Sequence, residues 1–317
     1  MLGALFAVLS AATFGLNNAT VRRGVISGTV SQALAITVPI GVPLFAIATL
    51  LFGQFGALVG FDARALTFLA LAGVVHFVWG RYCNYRATKA LGSNLAGPVQ
   101  EVNVAVALAL AIGWLGETLT PVKILGLALV VGGPTIAALG SRRRAARASA
   151  FEPKLREGYT FALLSATGYG VSPVLVKAGL AGSGASMAGG LVSYFSATLA
   201  FGLVLLLPGR LAHVRAVDRT NAKWFLASGF WVFLSQMFRF AALAIAPVTV
   251  VTPIQRLSVV FRLFFSTLLN REHEILDARV IGGVVVSLLG AVALASSIDS
   301  VAALLPLPEA LKTWHWP

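Results

Sequence analysis

Apolar residues in this chain run in long blocks, and short polar clusters punctuate them at membrane-length intervals. About 20 apolar residues in helical conformation cross the hydrocarbon core of a bilayer. On that ruler ten segments qualify: Leu2–Thr20, Gln32–Phe52, Ala65–Ala87, Leu95–Leu115, Val122–Leu139, Tyr159–Val176, Met187–Leu207, Trp224–Ala244, Thr249–Leu269 and Val280–Ser297. The connections are short, so no extramembrane domain is expected. The pattern predicts an all-α integral membrane protein with ten transmembrane helices.

The pattern also repeats. At an offset of 155 positions Phe6-Ala7 meets Phe161-Ala162, and Leu9-Ser10-Ala11 meets Leu164-Ser165-Ala166. At the same offset Gly15 meets Gly170, Arg22 meets Lys177, Arg64 meets Arg219, Pro98 meets Pro253, Gln100 meets Gln255 and Glu117 meets Glu272. Each copy holds five spans. An odd number inserts the second copy upside down, which predicts two inverted five-helix repeats, a construction common among secondary transporters. The expected units are residues 1–140, a basic linker at 141–157, residues 158–297 and a short tail at 298–317.

Composition agrees. Hydrophobic residues make up 58% and charged residues 11% of 317 positions, where a soluble domain carries about 25% charged residues. The lone cysteine, Cys83, excludes an intramolecular disulfide and any cysteine-based metal cluster. The net charge of +13 sits in loops and at segment ends, the topogenic pattern, and no soluble basic domain exists to bind nucleic acid. The linker concentrates Arg142, Arg143, Arg144, Arg147, Lys154 and Arg156, and the tail carries Trp314 and Trp316 as interfacial anchors. The first span lacks a basic leader and its repeat counterpart is internal, so it is expected to be retained. Loops after the odd-numbered spans hold most of the lysine and arginine, which places both termini outside.

Ionisable side chains inside a span are costly and mark function. Spans 5 and 10 carry glycines instead (Gly126, Gly132, Gly133; Gly282, Gly283, Gly290) and read as scaffold. The polar residues concentrate in four others: His76, Arg81, Tyr82, Asn84 and Tyr85 in span 3; Gln100, Glu101 and Asn103 in span 4; Gln236 and Arg239 in span 8; Gln255, Arg256, Ser258 and Arg262 in span 9. The repeat offset pairs Glu101 with Arg256, Asn103 with Ser258, Arg81 with Gln236 and Asn84 with Arg239. Glu101 and Arg256 lie about seven positions into their spans, roughly 10 Å deep at 1.5 Å per residue. Such a pair forms an ion pair or brackets a zwitterion.

Arg81 and Arg239 lie five or six residues from a span end. There an arginine either snorkels to the interface or lines a cavity. His76 reads as a packed polar group rather than a proton relay. Pro98 and Pro253 sit early in the paired spans 4 and 9, where a missing backbone donor loosens the helix and marks a site or hinge. Tyr82, Tyr85 and Trp79 supply apolar wall, and Asn17 and Asn18 are further cavity residues. No phosphate loop, H-E-x-x-H or G-x-S-x-G pattern occurs, and Arg271-Glu272-His273-Glu274 lacks a second histidine at metal-binding spacing. No catalytic residue, metal or cofactor is expected.

The run Leu115-Gly116-Glu117-Thr118-Leu119-Thr120, followed by Gly126 and Gly132-Gly133, resembles the junction of the fourth and fifth spans in EamA-type transporters of the drug/metabolite transporter superfamily. Ser10-Ala11-Ala12-Thr13-Phe14-Gly15, the passage from Ala90-Leu91-Gly92 to Pro98, and Glu272 are similar to the same family. The resemblance implies ten helices around a cavity lined by spans 3, 4, 8 and 9, transport of small metabolites without ATP, and both termini cytoplasmic, opposite to the loop charges. Its intramembrane arginines are denser than the family pattern, which favours an anionic or zwitterionic substrate such as an amino acid or organic acid. The chain is thus expected to be an inner-membrane permease or exporter, with a small-molecule substrate, a possible coupling proton and the lipid bilayer as partners, acting as monomer or homodimer. The alternative classes are an integral-membrane enzyme and a non-transporting membrane partner protein.

Overall fold

The computed structural model describes residues 1–25, 28–91, 99–100, 102–145, 154–269 and 278–296. Within them the chain is helical and no strand occurs. The first half runs α1 (Leu2–Val25), α2 (Val30–Thr37), α3 (Gly41–Leu51), the short α4 (Ala57–Gly60), α5 (Ala63–Gly73), a π-helical segment (Val74–Gly80), α6 (Arg81–Leu91), α7 (Val102–Leu115) and α8 (Pro121–Ala145). The second runs α9 (Leu155–Gly179), α10 (Ser186–Leu205), the short α11 (Arg210–Arg215), α12 (Arg219–Ile245), α13 (Val248–Ile254), α14 (Leu257–Leu269) and α15 (Ala278–Ala295). Among the described residues six stretches are long and apolar enough to cross a membrane: Leu2–Val21, Val30–Leu51, Ala63–Ala87, Leu155–Gly179, Ser186–Leu205 and Arg219–Ile245. Val102–Leu115, Pro121–Gly133 and Val248–Phe261 are shorter apolar helices. The protein is therefore a multi-pass membrane protein.

Local chemistry explains where the helices begin and break. Asp62 caps α5 by accepting from the Ala65 N–H at 2.7 Å. Thr29 and Gln32 form a reciprocal capping box at the start of α2, which satisfies donors that the first turn leaves open. Pro39, which has no N–H to donate, falls in the turn between α2 and α3. Asp218 caps α12, with its carboxylate accepting from the Thr220 N–H at 2.9 Å. That backbone bond holds the Asp218 carboxyl below the usual carboxylate range. A depressed folded-state pKa contributes stability above the unfolded value, and the contribution is lost as pH falls through the folded one. Asp218→Ala should lower the melting temperature slightly at pH 7 and leave it unchanged at a pH below both pKa values. Unfolding followed by circular dichroism at the two pH values checks this.

Among the described residues two large apolar cores, with minor clusters beside them, hold the bundle. The larger joins α1, α5, α7, α9, α12, α13 and α15, and the smaller gathers Phe45, Phe77, Tyr194 and Phe233. Helices α8 and α15 pack along each other at Gly126 and Gly290, where an added Cβ would meet the backbone of the opposite helix. Gly132 and Gly282 instead face open space, so only part of the glycine set acts in packing. Large apolar side chains such as Leu51, Val59, Phe195 and Leu203 point outward, as a surface solvated by lipid requires.

Candidate functional site

Arg239 is the hub of the interior. It lies near the end of α12 at 3% exposure. Its Nη1 donates to Gln236 Oε1 at 3.0 Å, one turn back, and meets His76 Nδ1 at 3.3 Å. Its Nη2 donates to Ser172 Oγ of α9 at 3.0 Å. Three elements thus converge on one guanidinium. An arginine has no lone pair to offer, so His76 Nδ1 is the acceptor; this is the neutral tautomer with its proton on Nε2.

Arg81 opens α6 directly after the π segment and is 5% exposed. Its Nη1 donates to Thr37 Oγ1 at 3.4 Å, and its guanidinium lies 5.3 Å from the centre of the Phe77 ring. Arg81 Nη2 and the Tyr194 hydroxyl are both buried and lie beside each other, outside ideal hydrogen-bond geometry. Tyr85, Tyr169 and Tyr194 lie within electrostatic range of this charge. Neither Arg81 nor Arg239 snorkels to the surface. Both are turned into the protein.

Span 9 is a broken helix. α13 ends at Ile254, Gln255 and Arg256 form a turn, and α14 begins at Leu257. Pro253, within α13, supplies no N–H at this point. Gln255 Nε2 donates to Ser10 Oγ at 2.9 Å, and Ser235 Oγ donates to the Ser10 carbonyl at 2.9 Å. Arg256 lies at the break, half-buried, within electrostatic range of His76, Arg239 and Tyr169. Ser258 and Asn103 are buried, and neither polar atom of the Asn103 amide has a hydrogen-bond partner. Gln100 Nε2 donates to Asn84 Oδ1 at 2.6 Å.

The structure thus gathers Arg81, Arg239, Arg256 and Tyr85 and adds His76, Gln236, Tyr169, Tyr194, Ser172 and Thr37. Tyr82 and Trp79 lie apart from them. Tyr82 is 41% exposed and packs toward Phe161 while accepting from Arg86 Nη1 at 3.2 Å; Trp79 is 49% exposed. Arg86 pairs with Glu157. Asn17 accepts from Ser228 Oγ at 2.6 Å, a helix-to-helix bond. Glu101 and Pro98 lie outside the described residues, as does the side chain of Arg262. Nothing in the sequence distinguishes Ser172 and Ser235 from other serines within the spans, whereas Ser10 recurs as Ser165 at the repeat offset.

Among the described residues the charge balance of the cluster is one-sided. The described carboxylates are Asp62, Glu117, Glu157 and Asp218. Asp62 and Asp218 cap helices, Glu157 holds Arg86, and Glu117 accepts from the N–H groups of Val248 and Thr249. None of these reaches Arg81 or Arg239. The described partners of these two arginines are neutral oxygens, an imidazole nitrogen and rings, which solvate a cation without cancelling it.

Comparison with known proteins follows the same outline. The family model described as the EamA-like transporter family matches residues 1–139 and 156–296. Comparison with curated proteins returns no match. One solved structure, described as a crystal structure of a protein, superposes with a TM-score of 0.70 over 93% of this chain and 95% of its own, at 16% identity. At that identity the likeness speaks for the fold alone.

Proposed function

Because the chain belongs to the EamA-like transporter family, we propose that it moves a small anionic or zwitterionic metabolite across the inner membrane by alternating access around the Arg81–Arg239–Arg256 cluster. Membership of a family described as transporters supports transport over catalysis. In the proposed mechanism ten spans form two inverted repeats that rock about a midplane site.

The observation that carries the substrate class is positive charge that no described carboxylate balances. A buried cation is costly unless paired or hydrogen-bonded, and here two guanidiniums sit in the interior with only neutral described partners. A carboxylate or phosphate entering between them would form charge-assisted hydrogen bonds, the strong class. The buried Asn103 amide offers unfilled positions for such groups, and Arg81 lies beside the Tyr194 hydroxyl. Glu101 would then hold an ammonium, carry a coupling proton, or pair with Arg256 between cycles. The neutral His76 tautomer fits a role in orienting Arg239.

A thermal-shift panel on detergent-purified protein tests this reading, with matched anionic, zwitterionic and cationic metabolites. A ligand at 100 times its Kd stabilises the folded state by about 2.7 kcal/mol. Anions or zwitterions should stabilise the parent protein and lose that effect in Arg81→Ala and Arg256→Ala. Stabilisation by cations alone would overturn the substrate class. Proton-gradient dependence of flux in proteoliposomes separates coupled transport from facilitation.

A further inference from the structure

Glu117 and Lys177 grip the near end of the broken helix from outside the arginine cluster. Glu117 follows Gly116, whose φ of 68° turns the chain sharply after α7. Its carboxylate accepts from the Val248 N–H at 2.7 Å and the Thr249 N–H at 2.8 Å, the first two amides of α13. Its own N–H donates back to the Ala111 carbonyl at 3.1 Å, tying the residue to α7. Lys177, in the last turn of α9, donates from Nζ to the Ala246 carbonyl at 3.0 Å. Ala246 and Pro247 are the link between α12 and α13. A pocket of about 600 Å³ opens beside these contacts, lined by Leu115, Glu117, Lys177, Ala178, Ala246 and Pro247.

The far end of α13 is built to bend. The Arg256 N–H bonds the Pro253 carbonyl and the Ser258 N–H bonds the Gln255 carbonyl, three-residue closures that interrupt the regular ladder. Between the grip and the bend lie Thr249 and Thr252, whose buried hydroxyls have no hydrogen-bond partner. Those hydroxyls would gain water if the helix moved.

We propose that Glu117 and Lys177 form a latch that closes this face of the transporter, and that α13 is the gate it holds. Released, α13 turns about the Gln255–Arg256 break and opens the pocket through to the arginine cluster. This rests on the transport reading, since only a transporter needs the face to open. Two charge-assisted bonds from one carboxylate to the positive end of a helix are strong in a dry site. They separate readily once water enters to solvate both partners. The opening is then a hinge motion confined to a few residues at an element boundary, as in other ligand-gated closures.

Cysteine labelling in membranes tests the latch. Thr252→Cys in a Cys83→Ser background should react slowly with a small charged methanethiosulfonate. Adding Glu117→Gln, or separately Lys177→Met, should raise that rate about tenfold, the scale of one hydrogen bond to a charged group. Ala197→Cys, in the second core, should stay slow throughout. An unchanged rate at Thr252→Cys would overturn the proposal, and so would an equal rise at Ala197→Cys, which signals general loosening. Labelling needs no substrate, so a flat ligand panel and a failed latch remain separate results.

Discussion

Alanine at Arg239 is expected to abolish ligand-dependent stabilisation and to cut flux about 100-fold, the equivalent of ~2.8 kcal/mol at 1.4 kcal/mol per tenfold. The same change should cost the unliganded protein about 1–3 kcal/mol. Gln236 Oε1, His76 Nδ1 and Ser172 Oγ all lose their donor, and each unsatisfied buried polar group costs about 1–3 kcal/mol. Loss of an interior cation that no described carboxylate balances offsets part of the sum, which keeps the expected figure near that for one group. Arg239→Lys separates the two effects. It retains the charge but cannot supply the fork that reaches three partners at once. Its ligand response should therefore fall between parent and alanine. Thermal unfolding in detergent reads the first effect and proteoliposome flux the second. Parent-like binding by Arg239→Ala would remove the cluster from the substrate path.

Gly73→Ala should give the largest loss of stability, about 3 kcal/mol or more, at the upper end of the usual range for overpacking. Gly73 ends α5, and a Cβ there would collide with the backbone of Ser193 in α10. Backbone cannot rotate away, so the two helices would have to separate. That would break the bonds from Ser193 Oγ to the Leu69 carbonyl at 2.6 Å and from Ser196 Oγ to the Ala70 carbonyl at 3.1 Å. It would also disturb the π segment that starts at the next residue and carries His76. Gly113→Ala is the matched comparison: nothing lies within 4 Å of its added Cβ. That variant should unfold within error of the parent. Melting temperatures of the three proteins check the contrast, and equal melting of Gly73→Ala and parent would refute the packing argument.

The interruption in span 9 was legible because proline announces it: the helix stops at Ile254, directly after Pro253. The π segment at Val74–Gly80 was not. Its residues include no proline, and Gly73 and Gly80 at its ends are tolerated within helices, so the pattern predicts one regular span over Ala65–Ala87, where the structure has three consecutive helical pieces. A π turn reflects an extra residue accommodated by packing, for which local propensity carries no signal. Tyr82 shows a second limit. It is adjacent to Arg81, so the two point in different directions, and the structure turns Arg81 inward and Tyr82 out. Hydrophobic periodicity cannot choose between them, because lipid and bundle interior are both apolar.

Sequence alone determined membrane insertion, the helical segments, the duplicated order and the concentration of polar and charged residues in spans 3, 4, 8 and 9. These follow from transfer free energy and chain composition, which act residue by residue and need no knowledge of neighbours. Tertiary structure decided which of the buried charges converge. Arg81 and Arg239 both turn into the interior around His76, with Arg256 at the helix break within electrostatic range, because the helices that carry them pack together. It also decided that Glu117, a loop residue at the end of α7, caps a helix that begins 131 positions later. A hydrogen bond across that separation depends on the assembled bundle, and no local pattern encodes it.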